Sequence, residues 1–161
     1  MRKILMMMSL MLSLTVMGCS NQAAIPDGFH SYEKGEVKTA MEQLHFTPEL
    51  PQYVPISAEI VVTDRFVDIH SEQEAFDITM FTTENDIFSI QIFDTDKTDS
   101  AATNQEVELA DSNSAYYSDQ PYSKSLIWEK DGITYKLTFR SGEHTLSKVD
   151  LIKVAESFQP S

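Results

Sequence analysis

Apolar positions along this chain fall into three patterns, and each predicts a different element. Residues 4–16 form an apolar run interrupted by Ser9, Ser13 and Thr15 and preceded by Arg2 and Lys3. A basic end, an apolar core and small residues after it predict a secretory signal over residues 1–18, because a membrane span needs about 20 apolar residues. From residue 31 to 44 the spacing becomes helical. Val37, Ala40, Met41 and Leu44 share one face, and Gly35 weakens the first turns. Pro48, Pro51 and Pro55 then forbid continued helix and favour extended chain. They mark a boundary between a helical segment at 31–49 and a main domain at 50–161, with residues 19–30 as a small, polar tether.

Past the prolines, period two takes over. "AEIVVTDRFVDIH" (58–70) has strand composition, with Thr63 and Asp64 as a turn or bulge inside it. In "AFDITMFTT" the residues Phe76, Ile78 and Met80 alternate with Asp77, Thr79 and Phe81, and in "IFSIQIF" Phe88, Ile90 and Ile92 do the same. Glu84, Asn85 and Asp86 between them are turn formers, so a meander is expected. A polar stretch at 94–104 leads to "QEVELA" and "SAYYS". "SLIWEKDGITYKLTF" reads as a hairpin, since Asp131-Gly132 suits a type I′ turn that needs positive φ at both central residues.

The last element is a helix. Ser147 is its cap with Asp150 three residues on, Leu146 and Leu151 suit a hydrophobic staple, and Leu151, Ile152, Ala155 and Phe158 make an apolar stripe that Pro160 ends. Such a stripe needs a sheet to cover. The fold class expected is α+β: an antiparallel sheet of five to seven strands, a C-terminal helix packed on one face and a short N-terminal helix.

The single cysteine changes the picture of the N-terminus. Val16-Met17-Gly18-Cys19 resembles the lipobox of bacterial lipoproteins, with Met17 less usual at its position. The resemblance implies cleavage between Gly18 and Cys19 and a covalent diacylglyceryl group on Cys19. Two acyl chains hold a protein stably at a bilayer, where one is marginal. No cysteine would then remain for disulfides, so packing alone must stabilise the domain.

Charge excludes one class of partner. The formal charge is −13, and cleavage removes Arg2 and Lys3, making the domain more acidic still. Such a surface is repelled by nucleic-acid phosphates and anionic headgroups, so no nucleic-acid partner is expected and the lipid does the anchoring.

Residues 50–158 carry a further resemblance. Leu50-Pro51-Gln52-Tyr53-Val54-Pro55, Ala115-Tyr116-Tyr117, "LIWEKDGITYKL" and "LSKVDLIKVAESF" stand in an order similar to a domain-of-unknown-function family. That family occurs in extracytoplasmic lipoproteins and anti-sigma-factor-like membrane proteins of Gram-positive spore-formers. The chain departs from it at Ile56-Ser57 and Asn113-Ser114, where glycines are usual, and in the long connection "RSGEHT". The resemblance supplies no catalytic residues.

The residues themselves offer little chemistry. His30, His45, His70 and His144 are dispersed, without metal-ligand spacing. Asp94, Asp96 and Asp99 resemble the start of a calcium loop, but Gln105 stands where the loop needs Glu and its glycine is missing. No nucleophile elbow, phosphate loop or dinucleotide fingerprint is present. No metal, no cofactor beyond the lipid and no enzymatic activity are expected. Tyr116, Tyr117 and Tyr122 form a candidate interaction surface, while Trp128 and Tyr135 read as cross-strand packing. The expected role is a non-enzymatic interaction or sensor module, lipid-anchored at the outer face of the cytoplasmic membrane and contacting an envelope protein. The alternative is a carrier of an apolar ligand such as lipid, held between sheet and helix.

Overall fold

A computed structural model describes residues 24–67, 69, 73–95, 105–111 and 113–160. The elements are α1 (Lys34–Met41), β1 (Glu49–Pro51), β2 (Ile60–Val67), β3 (Glu74–Phe81), β4 (Ile87–Phe93), β5 (Gln105–Glu108), β6 (Ser114–Gln120), β7 (Ser123–Lys130), β8 (Ile133–Arg140), α2 (Lys148–Glu156) and β9 (Phe158–Pro160). Together they make the expected α+β fold. Strands β2 to β8 form one seven-stranded antiparallel sheet in the order β2-β3-β4-β8-β7-β6-β5. It consists of two meanders, and their last strands, β4 and β8, lie side by side.

Alternation assigns the faces. One row across the sheet is Ile78, Ile90, Leu137, Leu126 and Tyr117, and the next is Phe76, Ile92, Tyr135, Trp128, Ala115 and Val107. All but Val107 are buried, and Val107 packs against the same core, because this face lies under α2. The opposite face reads Thr79, Ser89, Thr138, Ser125 and Ser118, a hydroxyl row left to solvent. The Asp131-Gly132 turn has φ of 53° and 78°, as a type I′ turn requires. It sets Trp128 directly opposite Tyr135, with ring centroids 5.3 Å apart and planes 14° from parallel.

Three expectations are corrected. First, Thr63 and Asp64 make no bulge: β2 pairs continuously with β3, Thr63 opposite Ile78 and Asp64 opposite Asp77. Second, α2 stops at Glu156, where Ser157 donates both its N–H and its hydroxyl to Val154 O at 3.0 and 2.7 Å. Phe158 and Pro160 therefore lie in β9, which pairs with β1 through Pro51↔Phe158 and Glu49↔Pro160. Phe158 fills the gap over the hairpin edge-on, 5.1 Å from Trp128 and 5.2 Å from Tyr135. Third, α1 is shorter at both ends than the periodicity suggests, capped by Glu33 and closed at Glu42. The cap of α2 is as expected, with Ser147 and Asp150 in a reciprocal capping box.

The proline segment is not a free linker. Val54 bridges His30, the Tyr32 hydroxyl donates to Pro51 O at 3.1 Å, and Lys130 reaches Glu49 at 2.7 Å. Val37 and Met41 of α1 join the same core cluster as the sheet and α2.

Candidate functional site

The β3–β4 turn and the β8–α2 loop meet around one carboxylate. Asp86 is 0% exposed, and its Oδ1 accepts the N–H groups of Gly142, Glu143 and His144 at 2.6, 3.2 and 3.4 Å. Its Oδ2 is hydrogen-bonded to Nδ1 of His144. Thr82 completes the turn by accepting the Asp86 N–H on its hydroxyl at 3.1 Å, and Asn85 takes a left-handed φ of 65°. The loop backbone comes so close that a Cβ on Gly142 would stand 2.2 Å from Glu84 O, so only glycine fits.

Burial pushes the Asp86 carboxyl up, but the Gly142 N–H, the His144 ring and the His144 and Glu143 N–H groups outweigh it and hold it below its ordinary 3.8. The hydrogen bond to Asp86, and then that carboxylate's charge, raise His144 above 6.5, with smaller help from Glu84 and Glu143. The pair borders a hollow of about 460 Å³ that His30, Ser57, Glu84 and Asp150 also line. An imidazole oriented by a carboxylate is part of a nucleophile-activating set, which further needs a hydroxyl on Nε2. No hydrogen bond to Nε2 of His144 occurs among the described residues. In this structure the pair holds the loop that leads into α2.

The two sheet edges differ sharply. At β5 the edge is short, with Glu106 and Glu108 exposed, and Lys148 reaches over to Gln105 at 3.3 Å. Those are the devices that discourage strand pairing. The β2 edge is eight residues long, and its backbone ladder runs to β3 alone among the described residues. Ile60 and Val62 are 58% and 50% exposed there. Beside them on the same open face lie Phe66 and Phe81, half-buried. Behind the edge, Arg65 is tied to Gln43 O at 2.8 Å and to Glu74 at 3.5 Å, and His45 to Glu74 at 3.2 Å.

The three tyrosines singled out from the sequence are not brought together. Tyr117 is buried on the inner face and donates its hydroxyl to Asp119 at 3.2 Å, where burial raises its pKa. Tyr116 lies on the open face opposite Ile127, and Tyr122, 88% exposed, sits at the β6–β7 turn. Of the histidines, His30 and His144 line the same hollow, His45 stands apart on Glu74, and His70 lies outside the described residues. Asp94 continues the backbone pairing to Glu74 O at 3.0 Å, while Asp96, Asp99, Gly18 and Cys19 lie outside the described residues. Among the described residues no cluster of three His, Cys, Asp or Glu could hold a metal ion, and no helix is long and apolar enough to cross a membrane. Sequence reasoning missed the Asp86–His144 pair, whose members are 58 residues apart. Turn chemistry at Glu84-Asn85-Asp86 was the one local signal.

The profile of one protein family, described as "Domain of unknown function (DUF4367)", matches residues 50–158. No curated protein and no solved structure matches the chain.

Proposed function

The chain belongs to the DUF4367 family, and from that premise we propose that it is a lipoprotein of the outer face of the cytoplasmic membrane, acting as a non-enzymatic interaction module that adds a strand of an envelope protein to β2. The anchor in this reading is the diacylglyceryl group on Cys19, supported by the basic, apolar and Gly18-Cys19 sequence of the N-terminus. The observation that carries the reading is the contrast between edges. A long edge strand, charged only at Asp64 and Arg65, where the Asp64 carboxylate takes the Arg65 N–H at 2.9 Å, offers its remaining backbone donors and acceptors plus Ile60 and Val62 for side-chain selectivity. The interior supports a module over a carrier of apolar cargo, because Trp128, Tyr135, Phe158, Leu151 and Val154 occupy the space between sheet and helix.

A photo-crosslinking residue at Val62 of the full chain in intact cells of its source is expected to capture one defined envelope protein. The same residue at Glu106 on β5 should capture none. Val62→Lys should prevent the complex without shifting the unfolding midpoint, and Cys19→Ala should remove the protein from the membrane fraction. Equal capture at both edges, or a complex that survives Val62→Lys, rejects strand addition. Unchanged fractionation and mass of Cys19→Ala rejects the anchor.

A further inference from the structure

The open face of the sheet carries a polar hollow of about 220 Å³ at its centre, well inside the β2 edge. Its floor is β8, where Lys136, Thr138 and Arg140 occupy alternate positions and so point to one side. Thr138 stands between Ser89 of β4 and Ser125 of β7, forming a hydroxyl row across three strands. Gln91 lies opposite Lys136, and Ser123 adds another hydroxyl at the Arg140 end.

The cations here are unusual for this molecule. In a chain of formal charge −13, carboxylates outnumber cations, and Arg65, Lys124 and Lys130 each pair with one. Lys34 and Lys148 donate to Gln52 and Gln105, and Lys153 lies over the Phe29 ring. Among the described residues, the side chains of Lys136 and Arg140 have no hydrogen-bond, ion-pair or ring partner, a condition shared only with Lys38 on α1. The hydroxyls of Ser123, Ser125 and Thr138 also lack a partner among those residues. The lining of the hollow itself holds no carboxylate. Elsewhere on the face, Asp77 accepts the Thr79 hydroxyl at 2.6 Å, Glu129 the Gly132 N–H at 2.9 Å and Glu106 the Ser114 hydroxyl at 2.9 Å, while Asp64 and Glu108 lie out on the edge strands.

We propose that this face binds an extended, phosphate-bearing, hydroxylated polymer, a polyol-phosphate or sugar-phosphate chain. Charge complementarity selects an anion. Spacing selects an extended one, because Lys136 and Arg140 lie about 13 Å apart along the strand, too far for upright side chains to share one phosphate. Hydroxyl and amide groups between them match a ligand that has donors and acceptors between its charges. Solvent-exposed cations bind weakly one at a time, so the affinity is shared and falls with salt.

The test is calorimetric titration of the full chain in non-ionic micelles at low salt with a glycerol-phosphate octamer, inorganic phosphate and uncharged malto-octaose. The octamer is expected to bind, to weaken with added salt, and to lose about tenfold in affinity with each of Lys136→Gln and Arg140→Gln. Lys38→Gln, on α1 and away from this face, should bind as the wild type does. The Gln variants should keep the wild-type unfolding midpoint. Absence of octamer binding overturns the proposal, as does an equal loss in Lys38→Gln, which would indicate diffuse attraction. Inorganic phosphate binding as tightly as the octamer overturns the extended ligand. Phosphatidylglycerol vesicles retained through the same two cations in preference to the octamer would make a membrane the occupant and overturn the polymer.

Discussion

At Asp86 a carboxylate has left water and received the N–H groups of Gly142, Glu143 and His144 and the ring of His144 in return. Such a group stabilises the fold only while it is charged and its partners are in place. The Asp86 pKa is lowered on folding, so its contribution is present above 3.8 and is lost as pH falls through the lower folded value. The His144 pKa is raised, so its contribution is present below 6.5 and is lost as pH rises through the higher folded value. The pair therefore stabilises most between those two ordinary values. Thermal unfolding of wild type and His144→Gln across pH is expected to show a gap that narrows above 6.5. A gap constant from pH 5 to 9 would remove the charge from the account. Asp86→Ala should cost about 2 to 3 kcal/mol, because it strands the loop's donors. None of this was legible from Asp86 or His144 alone. Each is an ordinary polar residue until folding brings their loops together.

At the scale of elements, local chemistry was legible where it was self-contained. The α2 cap uses groups three residues apart, so Ser147 and Asp150 announce it. Ser147→Ala should lower stability by about 1 kcal/mol, read as a lower denaturant midpoint at unchanged slope. A changed slope would point instead to a different unfolded or native ensemble. The other end of α2 was illegible for a definite reason. Phe158 follows Ala155 by three residues, so helical periodicity places it on the apolar stripe whether or not the helix continues. Ser157 closes the helix on Val154, and β1 supplies the strand partner that draws Phe158 into β9. Pro51 and Pro160 fit there because β1 and β9 form a two-stranded sheet with free edges, where a missing N–H is tolerated.

Across the whole molecule, the family match begins at residue 50, yet the packing begins earlier. Val37 is 0% exposed within the common core, and residues 30 and 32 bond to the segment at 51–54. A chain lacking residues 1–46 is expected to lose cooperative unfolding, followed by circular dichroism on heating. A sharp transition at the wild-type midpoint would make 31–49 an accessory segment. The sequence by itself determined the alternation of the central strands, the start of α2 and the type I′ turn, because alternation, capping and turn preference are properties of neighbouring residues. Tertiary structure alone decided that β8 lies beside β4, that β2 and β5 are the edges, that Tyr117 rather than Tyr116 faces the core, and that Lys136 and Arg140 flank a hydroxyl row. Many pairings satisfy the same local alternation. Choosing among them depends on contacts between segments far apart in the chain, which no local pattern records.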